Sequence, residues 1–357
     1  MKYRLLLLLL PFLSCKKESI QLTFLDEYVV KDSLEFQGNL IGGLSGIDRY
    51  KDTYYLVVDD SENPRVVTCT IAIENEKIKN IRFLNTISIT DTVSTFYKEQ
   101  LLDLESIFVN SDGTINLTSE GNIKGGKKPA VFITDATGAF LREIKVPDYF
   151  SNLEKGKPRH NGVFEGSCKG IENKGFWVAM EAPLEIDGDE PTLQETQSPV
   201  RITYFDHVTE QATKQYAYQL EKIDKQPKGN INLNGVTAIL EYAPNVFFVV
   251  ERIYQSDYGS YGNTIRIFKA TANEQTTNTL TLGGLKNEPY IPLTKELVFD
   301  FSSVKDQLTE GIIDNIEGIT FGPILPNGNS TLLVVSDDNF QKYGKQLNQF
   351  VLLAIEK

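Results

Sequence analysis

The feature that most constrains this chain is a strand–turn–strand unit that recurs five times. Its last copy, Asn315 to Phe340, shows the plan most openly. Glu317-Gly318 opens an apolar strand, Pro326-Asn327-Gly328 makes a turn, and a second apolar strand through Leu332 to Val335 stops on Asp337-Asp338. Earlier copies open at Ser45, Glu105, Glu165 and Thr237, at spacings of 60, 60, 72 and 80 residues. Further strand-like runs follow each unit, among them Arg65 to Ile73, Ile78 to Ile89, Val200 to Phe205 and Gln215 to Leu220. Four short strands per repeat, with insertions, predict an all-β chain folded as a β-propeller. The last copy is one strand short, and the run Leu22 to Val30 is placed to complete it. Five blades are expected, the ring closing where N- and C-terminal strands share a blade. Six is the alternative, with an extra blade in Ala270 to Ser303.

This period gives the acidic residues their meaning. The innermost strand of each blade lines the axis, so equivalent positions form a ring. Glu105, Glu165 and Glu317 share the entry position, where Ser45 and Thr237 stand in the other copies. Asp59, Asp60, Glu120, Glu181, Glu251, Asp337 and Asp338 mark strand exits. Like charges crowded together repel unless a cation or a proton neutralises them. Oxygen-only ligand sets suit Ca²⁺ or Mg²⁺ rather than zinc or copper. A plainer role, capping strand ends and bonding turn amides, competes with this reading. Arg65, Arg159 and Arg252 stand beside these acids. Arginine forks suit phosphate or carboxylate, and an ion pair with the neighbouring acid is the simpler alternative.

Other chemistries find little support. The net charge of −12 speaks against a nucleic-acid partner. Two histidines, His160 and His207, no G-x-S-x-G elbow and no P-loop spacing argue against a serine triad or a nucleotide site. Cys69 and Cys168 form no C-x-x-C pair, and Cys69 reads as a small hydrophobe in a strand. At the N-terminus, Lys2 and Arg4 precede the apolar run Leu5 to Leu13 and then Ser14-Cys15. The run is short for a membrane span and is similar to a bacterial lipoprotein signal. It implies residues 1–14 removed, Cys15 lipidated, 15–20 a tether and 21–357 one domain. The mature protein would then be a monomer anchored in the cell envelope by its lipid alone.

Taken together, Gly42-Gly43-Leu44-Ser45-Gly46-Ile47, Asn161-Gly162-Val163-Phe164-Glu165-Gly166, Glu251-Arg252, Asn315-Ile316-Glu317-Gly318-Ile319 and Ser336-Asp337-Asp338-Asn339-Phe340 resemble the phytase-like domain family, "esterase-like activity of phytase". The resemblance runs from about Leu40 to Ile355. It implies a hydrolase of phosphate esters using acidic residues, with a divalent cation. Carried over by position, its acidic motif residues fall on Asp59, Asp60, Glu105, Glu165, Glu251, Glu317, Asp337 and Asp338, of which Glu165, Glu317 and Glu105 are expected to be catalytic and Asp59, Asp60, Glu251, Asp337 and Asp338 to be metal ligands. Arg159 and Asn161 fit the family's R-x-N approach to Glu165, with His160 a departure between them, and with Arg252 and Arg65, which stand beside the acids, they are the expected substrate-binding residues. The expected partner is a small phosphorylated or ester substrate. Two alternatives remain. One is a non-catalytic propeller that binds a glycan or an envelope protein through Tyr254, Tyr258, Tyr261 and the Leu184–Pro199 loop. The other is a lactonase-type calcium propeller.

Overall fold

The computed structural model describes residues 20–356. It is a five-bladed β-propeller, each blade a four-stranded antiparallel sheet. From the axis outward, blade 1 is Leu44–Tyr50, Thr53–Val58, Arg65–Glu74 and Lys77–Ser88. Blade 2 is Leu104–Val109, Ile115–Ser119, Ala130–Thr134 and Phe140–Glu143. Blade 3 is Phe164–Lys169, Gly175–Met180, Pro199–Asp206 and Ala212–Gln219. Blade 4 is Asn232–Ala243, Val246–Gln255, Asn263–Thr271 and Thr294–Asp300. Blade 5 is Asn315–Phe321, Thr331–Asp337, Asn348–Glu356 and, on its outer edge, Gln21–Val30.

The outermost strand of blade 5 comes from the other end of the chain, pairing from Gln21↔Glu356 to Val30↔Asn348. This closure is the one expected from the missing strand. The alternative sixth blade is absent among the described residues. Residues 272–293 form an excursion without strands, and Thr294–Asp300 returns as the outer strand of blade 4.

Apolar side chains fill the wedges between blades. Phe108 of blade 2 meets Phe176 of blade 3 at 5.2 Å between ring centroids, and Trp177 of blade 3 packs edge-on against Phe247 of blade 4. Both middle strands are buried on two faces, so they read as continuous apolar runs such as Phe247–Val250 and Leu332–Val335. Cys69 and Cys168 are buried free thiols, as the strand pattern around Cys69 suggests.

The excursion at 184–199 is anchored to the propeller near its start. Arg201, fully buried, holds Asp187 with two bonds of 2.6 and 2.7 Å and reaches Gln215 Oε1 at 2.7 Å and Leu282 O at 3.1 Å. One guanidinium thus pins the excursions of blades 3 and 4 to the propeller wall. Beyond this anchor the 189–197 stretch is mostly exposed, as an inserted surface loop is.

Small residues let the innermost strands close on the axis. Gly46, Ser106, Gly166, Ala238 and Gly318 occupy one repeated position. A Cβ on Gly46 would lie 2.9 Å from Glu105 O, and one on Gly166 3.0 Å from Ile239 N, in each case the backbone of the next blade. Ser106 bridges onward, its Oγ accepting from Ser167 N and Oγ, both at 2.8 Å. Backbone cannot step aside as a side-chain tip can. Gly166→Val is therefore expected to cost about 1–3 kcal/mol. A urea midpoint unchanged from wild type would show that the axis is looser than this packing implies.

Candidate active site

The entry residue of every copy sits on a β-bulge. In each blade the pairing of the innermost strand slips at that position: Ser45, Glu105, Glu165, Thr237 and Glu317 all fall inside the shift. A bulge re-aims its side chain and is common beside functional sites. Here it turns three glutamates toward one end of the axis.

The exit position follows from the same register. Asp59 N bonds Gly43 O, Glu120 N bonds Asp103 O, and Glu181 N bonds Val163 O. Blade 5 pairs Asn315 with Asp337. In blade 4, however, Val236 pairs with Glu251 and Gly235 with Arg252. The residue equivalent to Asp59, Glu120, Glu181 and Asp337 is therefore Arg252. Neighbouring residues on a strand face opposite ways, so Glu251 points out of the ring. It accepts from Tyr218 Oη and Lys295 Nζ, both at 2.6 Å, and from Asn234 Nδ2 at 2.9 Å.

The result is a cup of eight carboxylates: Asp59, Asp103, Glu105, Glu120, Glu165, Glu181, Glu317 and Asp337. Arg252 is their one internal counter-ion among the described residues, donating to Glu181 at 2.8 Å, to Glu317 at 2.6 Å and to Asn315. Asn315 Nδ2 adds a second donor to Glu317 at 2.8 Å. Glu120 accepts from Val163 N at 2.6 Å and Asp337 from Asn339 N at 2.7 Å. No donor among the described residues lies on the carboxylates of Glu105 or Glu165, although both are more than nine-tenths buried.

Burial and mutual repulsion disfavour ionisation throughout the cup. Asp59, Glu120 and Glu317 are each pushed up to about 8, with burial the largest cause and a neighbouring carboxylate acting in the same direction. For Glu317, burial outweighs the opposing pull of Arg252. Glu105, Glu165 and Asp337 are likewise held well above the ordinary carboxylate range by burial and by their acidic neighbours. Asp103 is raised by burial, and its interaction with Asp59, His160 and Lys342 works against that rise. His160 and Lys342 therefore stand at the rim of the cup.

Two groups of acids bring oxygens within 4.8 Å of one another: Asp59, Asp103 and Glu105, and then Glu105, Glu120 and Glu165. Glu105 belongs to both. The donor set is hard oxygen only and includes two carboxylates without protein donors, so it fits a divalent cation of the Ca²⁺ or Mg²⁺ kind.

Several residues expected in the site lie elsewhere. Asp60 pairs with buried Arg65 at 2.7 Å, and Arg65 also bonds Asn63 O and Leu40 O. Both residues hold a loop together. Asp338 caps its own turn, accepting from Gly43 N at 2.9 Å and from Gln341 and Asn348 side chains at 3.0 Å. Arg159 is turned to the 183–190 segment, bonding Pro183 O at 3.0 Å and Gly188 O at 3.1 Å and facing Glu190 at 3.4 Å. Asn161 is an exposed turn residue with φ +51°, a conformation that asparagine tolerates well. Cys15 lies outside the described residues. Asp103 is the acid the sequence reading passed over, and Glu120 and Glu181 were noted there only as strand-exit acids. Asp103 stands two residues before Glu105, as Asn315 does before Glu317, and that shared offset was the available signal.

The model of the family "Phytase-like: Esterase-like activity of phytase" matches residues 39–340. The chain belongs to this family. The match spans all five innermost strands of this phytase-like protein, and with them the whole cup. No curated protein matches it. Among solved structures it is similar to an endo-arabinase from Bacteroides thetaiotaomicron, at 10% identity and TM-score 0.47 over 95% of this chain and 98% of that one. An exo-β-1,3-galactanase from Phanerochaete chrysosporium gives 10% identity and TM-score 0.47 over 94% of this chain and 64% of that one.

Proposed function

We propose that this phytase-like propeller hydrolyses phosphate esters in its acidic cup with the help of a bound divalent cation of the Ca²⁺ type. The observation that carries the reading is the charge balance of the cup: among the described residues, eight clustered carboxylates, one guanidinium, and two carboxylates, Glu105 and Glu165, with no donor. A phosphate ester meets repulsion there unless cations intervene. Asp59, Asp103 and Glu105 would hold the ion, which when bound screens the substrate's charge and polarises a phosphoryl oxygen.

The chain's own residues divide the remaining work. Glu165, unpaired, takes a proton from the attacking water. Arg252 is a positioning residue: with its fork spent on Glu181, Glu317 and Asn315, it fixes that side of the cup rather than clamping phosphate. Lys342 and His160, at the rim, meet the incoming anion. Lipidation of Cys15 would place the enzyme in the cell envelope.

The test is turnover of phytate and of simple phosphate mono- and diesters by the wild type and Glu165→Gln, with Ca²⁺ and with chelator. Turnover that needs Ca²⁺ and falls to background in Glu165→Gln is expected. Background rates with every substrate and condition would sink the reading. The glycan-binding alternative is disfavoured by the tyrosines it would use. Lys228 Nζ already lies 4.0 Å from the Tyr258 ring centre and Lys305 Nζ 4.8 Å from that of Tyr261.

A further inference from the structure

A second polar site lies on the same end of the propeller as the cup, on the outer side of blade 4. It is a cavity of about 260 Å³ between strand Asn263–Thr271 and the turn at 301–311. Lys225, Lys305 and Arg266 line it together with Asp224, Tyr261 and Thr264. Arg266 is held in place by Asp224 and by Asp300 at 3.0 Å. Neither Lys225 nor Lys305 has a carboxylate or other acceptor within bonding distance among the described residues. Each instead lies beside a tyrosine ring, Lys225 at 5.9 Å from Tyr258 and Lys305 at 4.8 Å from Tyr261.

We infer that this cavity is an anion site for a phosphate-type oxyanion, with Lys225 and Lys305 as its two free charges and Arg266 as its fixed wall. Two further observations support it. Partial burial, and then the charges of Lys305 and Arg266, hold the Lys225 ammonium below the ordinary range against the pull of Asp224 and Asp300; an anion between the lysines relieves that repulsion. In a chain of net charge −12, unpaired lysines converging on a cavity depart from the surrounding surface. The site does not depend on the reaction assigned to the cup. A free phosphate and an anionic lipid headgroup present the same chemistry to it.

The test uses the full chain in chelator, so that no cation bridges phosphate to the cup. Inorganic phosphate is titrated calorimetrically into wild type, Lys225→Gln/Lys305→Gln and Glu105→Gln. In parallel, each protein is pelleted with phosphatidylcholine vesicles, with and without phosphatidylglycerol. Each lost charge-assisted bond is expected to weaken phosphate binding about tenfold, while Glu105→Gln binds like wild type. Selective pelleting with the anionic vesicles alone, lost in the double variant, supports the site with a headgroup as its ligand. No binding of either probe, or equal binding by wild type and the double variant, overturns the inference. Both lysines are exposed, so the double variant should fold; if circular dichroism shows otherwise, Lys305→Gln alone carries the test.

Discussion

Arg252→Met is expected to destabilise the protein by about 3–5 kcal/mol above pH 8, the usual cost of leaving buried charges without their partner. The guanidinium joins Glu181 from blade 3 to Glu317 from blade 5 across the end of the axis, at 2.8 and 2.6 Å. Glu317 already sits at about 8 with Arg252 beside it. Removing the cation takes away the effect that opposes burial, so the carboxyl moves further above its ordinary range. An acid whose folded value is raised contributes stability at low pH and loses it as pH rises. The variant's deficit should therefore grow as pH rises through about 8, where Glu317 ionises in the wild type but not in the variant. At low pH Glu181 and Glu317 are protonated in both proteins, and only the lost hydrogen bonds, about 1 kcal/mol each, remain. Lysine should rescue poorly, because one ammonium cannot reproduce a fork shared by two carboxylates. Urea midpoints at the two pH values decide it. A deficit under about 1 kcal/mol above pH 8, or one that does not change with pH, would rule out Arg252 as the counter-ion of the cup.

Arg252 also marks where the sequence stops being readable. The five openings were legible because the bulge needs a small residue after it, and Gly46, Ser106, Gly166, Ala238 and Gly318 supply one. The closure of blade 5 by Gln21–Val30 was legible because the last copy lacked a strand. What could not be read was which of two adjacent acidic or basic residues faces the axis. Glu251 matches Glu120 and Glu181 by residue type, yet the pairing Val236↔Glu251 turns it outward and brings Arg252 in. Asp60 and Asp338 fail for the same reason, each one residue past the exit position and so on the other face. The register of a hydrogen-bond ladder is set by contacts distant in sequence, and a shift of one residue inverts every assignment. Asp103 shows the converse, since its two-residue offset from Glu105 was a signal of shared facing that identity-matching overlooked.

Stripped of divalent ions, the protein should melt at a higher temperature near pH 6 than near pH 9, the reverse of what salt-bridged carboxylates produce. Asp59, Glu120 and Glu317 are raised to about 8, against ordinary values of 3.8 for Asp and 4.5 for Glu. Between those values the folded state holds more protons than the unfolded chain. Stability is then complete at the acid end of this window and declines as pH rises through 8. Glu105, Glu165 and Asp337, also raised by burial and acidic neighbours, act with the same sign. The exposed turn acids Asp112, Asp135 and Asp206 are lowered, so they act with the opposite sign, but only in the acid range below 3.8. A divalent cation replaces the missing protons. Ca²⁺ should therefore raise the melting temperature strongly near pH 9 and weakly near pH 6, where it must displace protons to bind. At a hundredfold excess over its dissociation constant the gain is about 2.7 kcal/mol. Because Glu105 belongs to both groups of converging oxygens, Glu105→Gln should lose most of the calcium shift and flatten the metal-free pH slope together. A calcium shift undiminished in Glu105→Gln would place the ion away from the cup. Melting temperatures that rise from pH 6 to pH 9 in chelator would mean that the cup's carboxylates are ionised without help, and the case for a resident cation would fall with them.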